Sequence, residues 1–223
     1  MARLDELRRQ ITESFESAIR ERETLSLAVS GGATALVFLG ALRVARVQWS
    51  RVTMFWADER AVPADSPESN YGVAERLLLD PLGAAAPRAL RMPGDQPDLE
   101  EAALQYDETL AYELRSGPLD LALLGIGEDG HVCSLFPGHP ALQQVDHRVI
   151  AIHDAPKPPP RRLSLTMSFL CRTRKIWLVV LGARKHPVLQ AAMARSRLET
   201  PLDIVLANAK DTTIFTDQPI YRT

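Results

Sequence analysis

Four short apolar runs in this chain stop abruptly at glycines or charges. Leu25–Val29 stops at Ser30-Gly31-Gly32, Val52–Trp56 just before Asp58-Glu59-Arg60, Leu119–Leu124 at Gly125-Ile126-Gly127, and 175–181 at Gly182. Around them lie stretches with apolar residues three and four apart. A strand covered on both faces reads as a near-continuous apolar run, and parallel neighbours need a crossover helix between them. The pattern predicts an α/β chain with a mostly parallel sheet and helices on both faces. No long internal repeat is visible and the proline-rich stretches are too short for linkers, so residues 1–223 read as a single domain.

Residues 3–22 put Leu4, Leu7, Ile11, Phe15, Ala18 and Ile19 on one stripe, the mark of an amphipathic helix. Helical periodicity returns over 34–44, then from Ser69 or Asn70 as N-cap to about Leu79, over 98–115 behind Asp98, and over 184–195. Short strands are expected at 149–152 and 212–215. Residues 61–69 and 81–97 read as connections, and Lys157-Pro158-Pro159-Pro160 as an extended arm, because proline cannot sit inside a helix.

Hydrophobic residues at 46% and charged residues at 24% exclude wholesale disorder. Lys+Arg 26 against Asp+Glu 28 leaves a net charge of -2, so neither a general nucleic-acid binder nor an anionic-membrane binder is expected. Any anion site must be local. No apolar run approaches the roughly 20 residues of a membrane span, and the charged N-terminus lacks a signal-peptide core. Cys133 and Cys171 have no disulfide-scaffold or zinc-site spacing. The expected setting is the cytoplasm.

Ligands of open parallel sheets collect beyond the carboxyl ends of the strands, and three of those ends carry chemistry. Ser30-Gly31-Gly32-Ala33-Thr34 offers close backbone approach and a following helix N-terminus, a phosphate cradle or simply a tight turn. Asp58-Glu59-Arg60, on pattern alone, reads more readily as a solvated rim than as a site. Gly125-Ile126-Gly127-Glu128-Asp129-Gly130-His131 sets a carboxylate two residues from an imidazole among glycines, which suits acid–base work near neutral pH. His131 has no Cys or His at ligand spacing, so no metal is expected. Ser134 has no evident activator and reads as loop structure. Arg162, after the arm, and Lys185, after Gly182, are either surface charges or phosphate ligands.

In chain order, SGGAT at 30–34, WADERAVP at 56–63, SNYG at 69–72, GIGEDGHVCSLFPG at 125–138, PPRRLSLT at 159–166 and GARK at 182–185 resemble the 6-phosphogluconolactonase family, part of a wider group that includes glucosamine-6-phosphate deaminases. The resemblance implies a Rossmann-like α/β fold. It also implies hydrolysis of 6-phospho-D-glucono-1,5-lactone in the oxidative pentose phosphate pathway, with no metal, no cofactor and a small sugar-phosphate lactone as partner. It makes His131 the base that activates water and Asp129 its neighbouring carboxylate. It places Ser30, Gly31, Gly32, Thr34, Arg162 and Lys185 on the phosphate side, with Arg60 at the mouth and Asp58 among the substrate-binding residues.

The sequence departs from the family pattern in two places. Ala33 and Ala35 replace a serine and a proline of the first loop, removing one hydroxyl donor. Val132-Cys133 replaces Thr-Ala after the histidine, which reads as a packing change. Related deaminases carry a glutamate where this chain has Phe136 and a tyrosine where it has Arg60; both differences favour a lactonase. The alternatives are a sugar-phosphate isomerase/deaminase and a non-catalytic sugar-phosphate sensor. The short stretch before the first strand leaves little room for a fused DNA-binding helix-turn-helix.

Overall fold

The computed structural model describes residues 2–194 and 199–219. Helix α1 (Ala2–Arg20) buries Leu7, Ile11, Phe15, Ala18 and Ile19, the stripe its spacing predicts. Strand β1 (Leu25–Val29) is followed by α2 (Ala35–Arg43) and β2 (Val52–Trp56), with Leu25 opposite Val52 and Val29 opposite Trp56. Beyond Ala57 the chain forms β3 (Asp58–Arg60). Helix α3 (Asn70–Ala74) has Ser69 as its N-cap and runs through one π-helical turn into α4 (Asp80–Leu82). Then come β4 (Arg88–Leu90) and α5 (Leu99–Glu113), where the Asp98 carboxylate accepts from the N–H groups of Glu100 and Glu101. The rest of the chain supplies β5 (Leu121–Gly125), β6 (Val149–Ile152), β7 (Arg162–Leu165), α6 (Met167–Cys171), β8 (Lys175–Val180), α7 (His186–Met193), α8 (Pro201–Asn208) and β9 (Thr212–Thr216).

Six strands form one parallel sheet in the order β4-β2-β1-β5-β8-β9. From β1 the chain steps outward to β2 and β4; from β5 it steps the other way to β8 and β9. Right-handed crossovers then place helices on opposite faces. The reversal lies between β1 and β5, where a crevice opens at the carboxyl edge. Buried Leu27, Leu123 and Leu178 come from the three central strands and belong to one hydrophobic core. Among the described residues, no helix is long and apolar enough to cross a membrane.

A second, antiparallel sheet has the order β3-β7-β6, with Asp58 opposite Ser164 and Ile150 opposite Ser164 on the other side. Ala57 joins the two sheets. Its N–H donates to Val29 O of the parallel sheet at 2.8 Å, and its carbonyl accepts from Leu165 N of the antiparallel one at 2.8 Å.

The structure corrects several expectations. Asp58-Glu59-Arg60 is not a solvated rim: it is β3, with Asp58 4% and Glu59 2% exposed. Three charges in a row mask a strand whose polar side chains have internal partners. The edge strand β4, strand β7 just after the expected arm, and helices α6 and α8 lack a clear period in sequence, being only three to eight residues long. The helix expected over 184–195 spans His186–Met193, and position 195 lies outside the described residues.

Candidate active site

The carboxyl ends of β1 and β5 are tied side by side. Gly125 N donates to Ser30 Oγ at 2.9 Å, and Ser30 N donates to Leu123 O at 3.1 Å. Between them and α2 runs the loop Ser30–Thr34, with Gly32 at φ +80 and Thr34 at the N-terminus of the helix. Lys185 Nζ, entering from the start of α7, donates to Thr34 Oγ1 at 3.2 Å. Burial pushes the Lys185 ammonium below its ordinary value, against the pull of Glu128. Backbone N–H groups, a helix N-terminus and one cation thus share a corner suited to an anion.

Behind this loop the WADER and SNYG segments lock together. The buried Glu59 carboxylate accepts from Asn70 N and Tyr71 N at 2.7 Å, from Ser69 Oγ at 3.0 Å and from Arg60 N at 2.7 Å. It holds the N-terminus of α3. Burial raises the Glu59 carboxyl above its ordinary value, and three backbone donors oppose the rise. Asn70 Nδ2 donates to Asp58 O at 2.8 Å and to Asp58 Oδ1 at 3.2 Å. The Asn70 amide lies so close to the first loop that a Cβ on Gly31 would fall 1.7 Å from its Oδ1. Gly31 is a glycine because Asn70 occupies the place of its side chain.

The catalytic-looking pair lies on the loop after β5. His131 Nδ1 is 2.5 Å from Asp129 Oδ1. A Cβ on Gly127 would stand 2.0 Å from His131 Nδ1 and 2.3 Å from Asp129 Oδ1, so the pair closes only over a glycine. Asp129 is partly buried, which by itself raises its carboxyl; hydrogen bonds from Lys157 and His131 outweigh this and hold it at about 2. Asp129 is therefore ionised and can only accept, so the proton between the two atoms belongs to Nδ1. Nε2 is left with the lone pair. Burial lowers the imidazole below its ordinary value, with Lys157 adding to the effect, and Asp129 and Asp58 opposing it. The ring packs on Phe136 at a centroid distance of 4.6 Å.

The arm before β7 carries Lys157 to this pair. Its Nζ is 2.8 Å from Asp129 Oδ2. Arg162 is 4% exposed and anchors the arm: Nε donates to Pro159 O at 2.9 Å, and Nη2 to Lys157 O at 2.8 Å and Pro158 O at 3.3 Å. Its Nη1 donates to Ser134 Oγ at 3.3 Å, and Ser134 Oγ donates to Asp58 Oδ2 at 2.7 Å. Ser134 is thus more than loop structure; it links the arginine to a buried carboxylate.

A cavity of about 240 Å³ is lined by Ser30, Gly31, Gly32, Thr34, Asp58, Arg60, His131, Arg162 and Lys185, all expected at the site. Asp129 stands behind His131. Asp58 has both oxygens engaged by Asn70 and Ser134, and Arg162 spends most of its donors on the arm, so each braces a cavity wall. Arg60 Nη1 donates to Glu68 O at 2.5 Å, and its buried Nε has no protein partner. Cys133 is a cavity residue at φ +55 and not only packing. Sequence reasoning missed Lys157, Glu59, Asn70 and Ser134 as parts of the site. All four lie within recognised motifs or the arm, so adjacency to those motifs was the available signal.

This combination of a switch-point anion corner and an oriented imidazole on a Rossmann-like sheet defines a sugar-phosphate enzyme class. The chain belongs to the family described as glucosamine-6-phosphate isomerases/6-phosphogluconolactonase, which it matches over residues 2–215. It is 36% identical to a 6-phosphogluconolactonase of Mycobacterium leprae over 195 residues, 83% of this chain and 79% of the relative. The crystal structure of a 6-phosphogluconolactonase from Shewanella baltica superposes with a TM-score of 0.84 at 28% identity, covering 96% of this chain and 94% of that one. One from Thermotoga maritima gives 0.83 at 25% identity, covering 97% and 95%.

Proposed function

We infer that this chain hydrolyses 6-phospho-D-glucono-1,5-lactone to 6-phospho-D-gluconate, the second step of the oxidative pentose phosphate pathway. The observation that carries this is the Asp129-held imidazole, 2.5 Å from its carboxylate, facing the same cavity as the glycine loop and Lys185. The loop Ser30–Thr34 and Lys185 take the 6-phosphate, with Arg162 bracing the opposite wall. Phosphate binding brings the C1 carbonyl to His131.

Neutral His131 accepts a proton from water at Nε2 as the water oxygen bonds to C1. Negative charge develops on the carbonyl oxygen, and Arg60, a cation lining the cavity, is the donor suited to it. The intermediate collapses as the bond from C1 to the ring oxygen breaks. The imidazolium returns its proton to that oxygen, and Asp129 stabilises the imidazolium meanwhile. Phe136 is 1% exposed beneath the imidazole and has no proton to give, which supports lactone opening over deamination.

The partner in this scheme is the small lactone alone, with neither nucleic acid nor membrane, and the compartment is the cytoplasm. The gathering of Lys157, Arg162 and Lys185 at one cavity of a chain with net charge -2 supports a local anion site. The test is a lactonase assay on freshly generated 6-phosphogluconolactone, corrected for spontaneous opening. Enzyme-dependent hydrolysis is expected. No acceleration, together with ammonia release from glucosamine 6-phosphate, would overturn the assignment.

A further inference from the structure

The arm residue Lys157 takes no proton-transfer step in the scheme above, yet it completes a three-member contact. Its Nζ is 2.8 Å from Asp129 Oδ2 and 3.3 Å from His131 Nδ1, while Asp129 Oδ1 is 2.5 Å from the same Nδ1. One proton cannot serve both contacts of Nδ1. The carboxylate accepts only, so Nδ1 carries the hydrogen and points it at Asp129. An ammonium cannot donate to a nitrogen already bearing a hydrogen. The Lys157–His131 approach is therefore a positive charge held beside a ring that must gain positive charge during the reaction.

We propose that Lys157 is a positioning residue of the lactonase: clamped on Asp129 Oδ2 by the Arg162-anchored arm, its ammonium stands 3.3 Å from His131 Nδ1 and its charge opposes protonation of the resting imidazole. The proposal rests on the lactonase assignment for its kinetic consequence but not for its geometry. The arm cannot swing freely, because three of its carbonyls accept from the buried Arg162 guanidinium. The ammonium is 5.9 Å from the centroid of Phe136, the ring that also supports His131. The charged groups facing the imidazole are Asp129 on its own loop, Lys157 on the arm and Asp58 on β3. Two anions favour protonation; Lys157 is the cation set against them, in concert with burial of the ring.

The test compares Lys157→Met and Lys157→Arg with the parent enzyme. The Lys157 side chain is 45% exposed, so both variants keep the fold intact. Imidazole titration of His131, followed by NMR without substrate, should move to higher pH in Lys157→Met and return towards the parent in Lys157→Arg. Turnover at pH 6 relative to pH 8 should fall roughly two- to sixfold in Lys157→Met for a rise of about one pH unit in the midpoint, since turnover follows the neutral fraction of a ring that titrates below its ordinary value of about 6.5. The substrate's own titration is common to all three enzymes and cancels. An unmoved or lowered titration in Lys157→Met, or a uniform loss of turnover at every pH, would overturn the proposal. A parent enzyme with no lactonase activity would remove the assignment instead, and the NMR titration would still decide the role of Lys157.

Discussion

The two walls of the cavity are built on different principles. The wall at the end of β1 presents mostly main-chain groups, a glycine loop and the N-terminus of α2, with one side-chain cation, Lys185, resting on Thr34. The wall made by the loop after β5 and the antiparallel sheet presents side chains, each held by another. Asp129 holds His131, Lys157 holds Asp129, and Arg162 holds the arm of Lys157. Main-chain donors neither titrate nor change rotamer, so the first wall suits recognition of a fixed anion. Side chains titrate, so the second suits proton transfer. Binding and chemistry should therefore separate on mutation.

The largest effect should come from the second wall. His131→Gln keeps a hydrogen-bonding side chain but removes the base, and general base catalysis is worth roughly 10²–10⁴-fold. Turnover should fall by at least about two orders of magnitude, with binding of 6-phosphogluconate retained in calorimetry. In the parent enzyme, turnover should fall on the acid side as the imidazole protonates. The free enzyme should keep its neutral imidazole to below the ordinary value of about 6.5, because burial favours the uncharged ring. Near-normal turnover in His131→Gln would move the base elsewhere and dissolve the contrast between the walls.

Lys185→Ala tests the other wall. Loss of a charged hydrogen-bond partner costs about 1.5–3 kcal/mol, or roughly 10- to 150-fold in kcat/KM for the phosphorylated lactone. Unphosphorylated gluconolactone should be hydrolysed at nearly the parent rate. Equal losses on both substrates would take Lys185 out of phosphate recognition. Asp129→Asn should do less than His131→Gln, roughly ten- to a hundredfold in kcat, because the ring stays but its tautomer is no longer enforced. A rise in KM alone would place Asp129 with binding.

The inner strands of the parallel sheet were legible in sequence because they are continuous apolar runs, whereas the short edge strand β4 was not. Leu25–Val29 and Val52–Trp56 fall where the pattern puts them. Of the antiparallel sheet only β6 was legible, since β3 is three charged residues and β7 begins with a buried arginine. Both take their stability from partners far away in the chain, which no local period reports. The site follows the same division. The glycine loops and His131 announce themselves by composition. The contact of Asp129 with His131 depends on a glycine at 127 that leaves room for both, and the place of Lys157 depends on carbonyls turned towards Arg162.

The pairing of β3 with β7 joins Asp58 to Ser164, nearly half the chain later. As the chain leaves the ribosome, the early strands and their glycine loops can settle while β3 still has an open edge and Ala57 O still waits for Leu165 N–H. The closure entropy of that long loop must be met before its contacts reward it. The last part of the protein to be made delivers Lys157, Arg162 and Lys185, three of the cavity's cations. An unfinished chain thus holds the outline of the pocket without most of the charge that would draw an anion in, and the docking of one late strand turns scaffold into enzyme.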